Sequence, residues 1–153
     1  MNRRNTKTVD APAADDRKFF TLEEARRALP YVARVVKDIM ACYSYVLELR
    51  ERLEIPRPDD TTSELKRDYE TGMEKLNTLL EEMQQVGVEL KDFERGLVDF
   101  PAWHDGREVC LCWHVGESSI GAWHELDAGF AGRQDITLLE PVIAGKRNAN
   151  PAN

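Results

Sequence analysis

The sequence predicts an α+β fold, in which a long antiparallel helical hairpin packs on a small antiparallel β-meander of three to four strands. The first observation behind this prediction is that apolar residues recur every three or four positions over residues 21–86, as in amphipathic helices. The second is that apolar and polar residues alternate after Gly87, as they do in β-strands. The third is a pair of glycine-containing turn signals, Asp105-Gly106 and Gly116-Glu117, which divide the alternating part into strands.

The first helical segment begins at a capping box, Thr21-Leu-Glu-Glu24, in which side chains and backbone amides can satisfy each other. We expect a short helix to about Ala28 and a new helix from Pro30 to about Glu54. Proline lacks the amide proton that a helix interior needs, but it fits the first turn. The apolar stripe of the new helix consists of Tyr31, Val32, Val35, Val36, Ile39, Tyr43, Val46, Leu47 and Leu53.

The second long helix follows a connector with two prolines, IPRPDDTTS, and is expected from about Ser63 to Val86. Gly87 is suited to cap its C-terminus. Two helices of similar length joined by a short connector form an antiparallel hairpin, each about 35 Å long. The stripe of this helix consists of Leu65, Tyr69, Met73, Leu76, Leu80, Met83 and Val86.

The two turn signals also predict a register for the meander. A type I′ turn at the first would pair Phe100 with Leu111, and a type II′ turn at the second would pair Val109 with His124. The expected strands are Val88–Asp92, Leu97–Phe100, Glu108–Trp113 and Ser119–His124. The helix-facing side then collects Val98, Phe100, Val109, Leu111, Trp113, Ile120, Ala122 and His124. The outer side collects Leu97, Asp99, Pro101, Cys110, Cys112, His114, Gly121, Trp123 and Glu125.

Every tryptophan and histidine of the chain lies in one of three Trp-His pairs, which begin at Trp103, Trp113 and Trp123. Three histidines could form a metal site, but the predicted register argues against it. His114 and His124 would lie about 16 Å apart along the sheet, at about 3.3 Å per residue. They would also face opposite sides, whereas the ligands of one zinc ion lie within about 2.3 Å of it.

The best candidate for a small-ligand site is the outer side of the meander and the loop after it. Gly121 would leave space beside Asp99 and Cys112, and the loop that follows ends in an arginine able to hold an anion. The candidate ligand-binding residues are Asp99, Cys112, Glu117, Trp123, His124 and Arg133. A one-residue slip of the last strand would bring His124 to the side of Asp99 and Cys112.

Metal binding is the alternative use of this region. Cys110 and Cys112 could offer two thiolates on one side of a strand, with Asp99 or a histidine completing a zinc site. A nucleophilic Cys112 is disfavoured, because a carboxylate opposite it would raise the pKa of the thiol. We therefore predict no metal or cofactor, with zinc or iron as the alternative.

Composition sets the class of protein. A chain of 153 residues with a net charge of −7 predicts one acidic domain, which disfavours nucleic-acid partners. Apolar segments are too short for a membrane span, and three cysteines without an export signal predict a cytoplasmic protein. The expected organisation is a disordered tail over 1–18, a single domain over 19–143 and a second tail over 144–153. Within the domain, the hairpin covers 21–86 and the meander with its C-terminal segment covers 87–143.

The long helices also predict an assembly role. The helices, at about 35 Å, are longer than the strands, at about 20 Å. Part of the apolar stripe of each helix would therefore have no partner surface within the same chain. Pairing of two hairpins in a coiled-coil-like four-helix arrangement would bury it. We therefore expect a homodimer through Tyr31–Leu53 and Leu65–Val86, with an unknown protein partner as an alternative.

Several motifs resemble an uncharacterised prokaryotic family, domain of unknown function 2203. They are FFTLEEARRALP, GLVDFPA, VCLCWHVGE and WHELDAGFAGR, and the likeness spans roughly residues 19–137. The resemblance implies a bacterial or archaeal cytoplasmic protein without an assigned activity, cofactor or partner. It also implies that the signature positions fall on Asp99, Phe100, Cys112, Trp113, Gly116, Glu117, Trp123, His124, Gly129 and Arg133.

We therefore predict a dimeric interaction module and leave open whether the protein is an enzyme. The alternative is a ligand or metal site, possibly a catalytic one, around Asp99, Cys112, His124 and Arg133.

Overall fold

The computed structural model describes residues 17–138 and has the predicted α+β architecture. A helical hairpin covers one side of a sheet whose strands follow one another in chain order, each antiparallel to the next. The sheet has five strands, more than the three to four expected. The elements are α1 (Leu22–Glu54), α2 (Thr62–Val86), β1 (Glu89–Asp92), β2 (Leu97–His104), β3 (Arg107–His114), β4 (Ala122–Glu125) and β5 (Gln134–Asp135).

The first helix begins at the predicted capping box: the Thr21 hydroxyl accepts from the Glu24 amide, and the Glu24 carboxylate accepts from the Thr21 amide. The predicted break before Pro30 is wrong, because α1 continues through it to Glu54. Pro30 lies on the exposed side, where water can hydrate the carbonyl that loses its donor. The buried stripe continues past it from Leu29 to Val32, and this burial outweighs the missing hydrogen bond.

The second helix ends as predicted, with Gly87 in the left-handed conformation at φ 97°. The two helices approach closely near their middles, where a Cβ on Gly72 would lie 2.9 Å from a Val46 methyl carbon. There the Cys42 thiol also donates to the Gly72 carbonyl at 3.4 Å. The close packing of the two helices therefore requires glycine at position 72, although glycine is unfavourable within a helix taken by itself.

The core lies between the hairpin and the helix-facing side of the sheet. Val98, Phe100 and Leu111 are fully buried there, together with Val36 and Ile39 of α1. The segment before α1 closes one end of this core, where the rings of Phe20 and Phe100 pack edge to face at 5.2 Å. The side of the sheet that holds the candidate site is the opposite, outer side.

The first predicted hairpin register is confirmed. Phe100 pairs with Leu111, and Asp105 and Gly106 both have positive φ, at 58° and 77°, as a type I′ turn requires. Both strands extend to this turn, so β2 and β3 are longer than expected.

The second predicted register is wrong by one residue. Val109 pairs with Glu125, and His124 pairs with Cys110. The Glu117 amide does donate to the His114 carbonyl across Val115 and Gly116, but β4 begins only at Ala122, so residues 115–121 form a longer connection instead of the expected two-residue turn. Each side chain of β4 consequently faces the side opposite to the one predicted.

The burial of Trp123 explains this register. Ile120 and Trp123 both lie in the core, three positions apart, so the alternation breaks at Gly121. The predicted register would place Ala122 and His124 on the helix-facing side in its stead. A buried indole removes far more apolar surface from water, so the observed register is the more stable.

The described chain ends beside β4. Gln134 and Asp135 form the short β5, and Ile136–Leu138 form a turn of 3-10 helix. The Ile136 amide donates to the Gly121 carbonyl at 3.0 Å. Residues 139–143, the predicted C-terminal tail and nearly all of the N-terminal one lie outside the described residues.

Candidate functional site

Asp99, Cys112 and His124 meet on the outer side of the sheet, and we call them the Asp-Cys-His cluster. They come from the adjacent strands β2, β3 and β4, and one candidate ligand atom of each lies within 4.8 Å of the other two. Their exposed fractions are 3%, 0% and 3%. Three polar side chains are thus brought together in a place that water hardly reaches.

The hydrogen bonds of His124 fix where its protons can be. Its Nδ1 lies 2.8 Å from the Glu125 carbonyl oxygen, which can only accept, so Nδ1 carries a proton. Its Nε2 lies 3.1 Å from Asp99 Oδ1, a carboxylate oxygen that also only accepts. A neutral imidazole would therefore point a lone pair at a carboxylate, and a cation is needed between the two atoms. That cation is a second proton or a metal ion.

Cys112 is held as a thiol when no metal is bound. Burial, followed by the negative charge of Asp99, raises the pKa of Cys112 to about 11. Arg133 works against this shift, and its Nη2 donates to the Cys112 carbonyl at 3.3 Å. A catalytic thiolate at neutral pH is disfavoured, because nucleophilic cysteines have a lowered pKa.

Cys110 lies beside the cluster on the same side of β3. It pairs with His124 across the two strands and is 7% exposed. Burial, and then the charge of Asp99, raises the pKa of Cys110 to about 12. Lys91 of β1 partly opposes this shift, so a positive charge lies near this thiol too.

Glu117 and Arg133 tie the two loops that flank β4. Arg133 Nη2 donates to both Glu117 carboxylate oxygens, at 2.8 and 2.9 Å, and Glu117 accepts from the His114 amide. Burial alone would raise the pKa of Glu117, but the bonds from Arg133 and His114 outweigh it, and the pKa lies below its usual range. Arg133 also lies over the Phe130 ring at 5.0 Å. This ion pair fastens the loops next to the cluster.

Trp123 lies away from the predicted ligand site. The outer position expected for it is wrong, because the register of β4 turns its indole into the core, with 5% exposed. Its Nε1 has no hydrogen-bond partner among the described residues. The indole packs near His104, with ring centroids 5.9 Å apart.

The other two histidines lie apart from the cluster. His104 is at the end of β2 beside Trp123, and His114 is at the end of β3 near Phe130. Within residues 17–138, His124 alone among the histidines joins Asp99 and Cys112. The regular Trp-His spacing therefore does not correspond to one shared site.

The cluster has the donor chemistry and spacing of a metal site. Two ligand atoms at about 2.0–2.1 Å from a tetrahedral zinc ion are about 3.3 Å apart, close to the 3.1 Å between Asp99 Oδ1 and His124 Nε2. Donation from Nδ1 to a backbone carbonyl is the usual way to orient a histidine that binds metal through Nε2. The Cys112 sulfur, within 4.8 Å of one candidate ligand atom of each of the other two residues, is the third candidate ligand.

Both outer thiols are expected to react slowly with iodoacetamide in metal-free protein. At pH 8 the raised pKa values leave about 100-fold less thiolate at Cys112 and about 1,000-fold less at Cys110 than at thiols of ordinary pKa. Peptide mapping by mass spectrometry measures each rate, with the urea-unfolded chain as reference. Equal rates in the folded and unfolded chains would contradict this prediction.

Comparison with known proteins agrees with the family that the motifs resemble. A family model described as an uncharacterized conserved protein, DUF2203, matches residues 18–136. Searches of curated proteins and of solved structures give no match. None of the helices within residues 17–138 combines the length and apolarity needed to cross a membrane.

Proposed function

The chain belongs to the uncharacterised DUF2203 family, and on that premise we propose that it is a metal-binding protein. The metal is a divalent transition ion, zinc in the first place, held by the Asp-Cys-His cluster. This is the alternative that the sequence left open, and the observed register of β4 favours it.

The observation that carries the proposal is the contact between His124 Nε2 and Asp99 Oδ1 at 3.1 Å. Because Nδ1 keeps its proton and donates it to the Glu125 carbonyl, two electron pairs face each other across this contact unless a cation lies between them. Burial strengthens the need for that cation, because neither the imidazole nor the carboxylate can be hydrated by water. A bound metal ion supplies the positive charge without requiring a charged imidazole.

The types of ligand atom favour zinc. One sulfur, one imidazole nitrogen and one carboxylate oxygen suit zinc and iron(II), whereas magnesium and calcium prefer oxygen ligands alone. The three cysteines are free, which supports a reducing compartment such as the cytoplasm. Iron(II) is the second metal to test.

Zinc affinity tests the proposal directly. We expect one zinc ion per chain by elemental analysis of protein purified without a histidine tag. Changing His124→Gln should weaken binding at least about 100-fold, because it removes a ligand. A competition titration with a chromophoric chelator measures this affinity.

The chain offers a matched control in His114→Gln. His114 lies on the same sheet but outside the cluster, so its loss should leave the affinity unchanged. Failure of the wild-type protein to bind zinc or iron(II) at micromolar concentration would contradict the proposal. Equal losses in the two variants would contradict the assignment to this cluster.

A homodimer formed through the hairpin is a second proposal. It is supported by large apolar side chains on and just after α1 that are 38% to 72% exposed, namely Tyr31, Tyr45, Leu47 and Ile55. Light scattering after size-exclusion chromatography should give twice the chain mass of 17.5 kDa. A single-chain mass at about 100 μM would contradict it, and Tyr45→Lys should weaken the dimer if this surface forms it.

A further inference from the structure

We propose that Cys110 is the fourth protein ligand of the metal site, which makes the site closed and structural rather than open and catalytic. This inference rests on the proposed function. It adds a second thiolate to the Asp-Cys-His cluster and leaves no position on the ion for water or a substrate.

The register brings Cys110 to the edge of the cluster. Cys110 is the direct partner of His124 across β3 and β4, and side chains so paired have Cβ atoms about 5 Å apart. Cys112 is two residues further along the same strand, so both sulfurs lie on the outer side. Cys110 is also buried, as a ligand of a closed site has to be.

A change of side-chain rotamer would bring the Cys110 sulfur toward the cluster. Its sulfur is not among the atoms that lie within 4.8 Å of one another. Rotation about χ1 from one staggered position to the next moves a cysteine sulfur by about 3 Å. The bond to zinc would select the rotamer that points toward the cluster.

The charges around the two thiols suit a dithiolate site. Zinc with two thiolates and one carboxylate has a net charge of −1, so a buried site of this kind needs a nearby cation. The pKa of Lys91 is raised, mainly by its hydrogen bond to Glu89. The charges of Asp99 and Cys110 raise it further, so Lys91 lies near both groups. Arg133 lies next to Cys112, since its Nη2 donates to the Cys112 carbonyl at 3.3 Å. Each thiol therefore has its own positive neighbour.

A closed site also accounts for the burial of the cluster. Catalytic zinc ions keep one position for water or substrate, whereas structural zinc ions have four protein ligands, usually with sulfur among them. The carboxylate and imidazole of the cluster are almost fully buried, and Cys112 is fully so. Zinc held in this way would join β2, β3 and β4 across the outer side of the sheet.

X-ray absorption of the zinc-loaded wild-type protein tests the inference without any substitution. We expect two sulfur and two nitrogen or oxygen ligands at about 2.3 and 2.0 Å. The cobalt(II) form gives a second measurement. Changing Cys110→Ser should halve its sulfur-to-cobalt charge-transfer absorbance and weaken zinc binding at least about 100-fold. Cys42→Ser, which removes a buried thiol in the hairpin, is the matched control and should change neither.

The outcomes separate this inference from the proposed function. Two sulfur ligands in the wild type and one in Cys110→Ser support it. One sulfur ligand in the wild type, or unchanged cobalt absorbance and zinc affinity in Cys110→Ser, overturns it and leaves a three-residue site. A wild-type protein that binds no metal overturns both proposals.

Discussion

Zinc at about 1,000 times its dissociation constant is expected to raise the melting temperature of the metal-free protein by about 10 °C or more. Binding to the folded state alone then contributes about 4 kcal/mol to the free energy of unfolding. A domain of this size changes its melting temperature by about 3–4 °C per kcal/mol. Differential scanning calorimetry across a series of free zinc concentrations measures the shift, and EDTA should reverse it.

Two variants, His124→Gln and His114→Gln, distinguish a rise in melting temperature caused by zinc at the cluster from one caused by zinc elsewhere on this acidic chain. His124→Gln, with zinc affinity at least about 100-fold lower, should keep at most about one third of the wild-type shift, whereas His114→Gln should respond like the wild type. An equal shift in the wild type and His124→Gln would mean that zinc acts at surface carboxylates. No shift in the wild type would contradict metal binding by the folded protein.

Asp99→Ala is expected to destabilise the metal-free protein by about 3 kcal/mol. Asp99 is 3% exposed, and its carboxylate is the partner of His124 Nε2. Removing one member of a buried polar pair leaves the other without compensation, which is the costly part of such a change. Urea unfolding followed by circular dichroism measures the loss, and a loss below about 1 kcal/mol would contradict it.

A double variant distinguishes a site kept for binding from one kept for stability. Asp99→Val combined with His124→Leu removes both polar groups, and such apolar replacements are often neutral or stabilising. We expect this variant to recover most of the stability lost in Asp99→Ala and to bind no zinc. A loss as large as in Asp99→Ala would mean that the pair itself stabilises the fold.

The predictable part of the fold is the part governed by local signals. The capping box, Gly87 and the Asp105-Gly106 turn each fix the conformation of a few residues through their own chemistry, and all three are found as expected. The break at Pro30 was wrong because a continuous buried stripe on the other side of α1 outweighs a local preference.

The candidate site was predicted as a set of residues but not as an arrangement. Asp99 and Cys112 face each other as expected, because the first hairpin has an unambiguous turn. His124 lies on the side opposite to the predicted one, because the alternation breaks at Gly121 and residues 115–121 join β3 to β4 in place of a two-residue turn. The signal in the sequence that distinguishes the two registers is Trp123, since burying a tryptophan removes more apolar surface from water than burying an alanine and a histidine.

The order of strands has a consequence for how fast the protein folds and unfolds. Each strand bonds to its neighbour in sequence, and α1 packs on the next helix, so most contacts join nearby parts of the chain. Topologies rich in such local contacts fold quickly. If β4 docks after the rate-limiting step, His124 reaches the metal late. Zinc would then slow unfolding while leaving the folding rate nearly unchanged, and its main effect would be to lengthen the lifetime of the folded state.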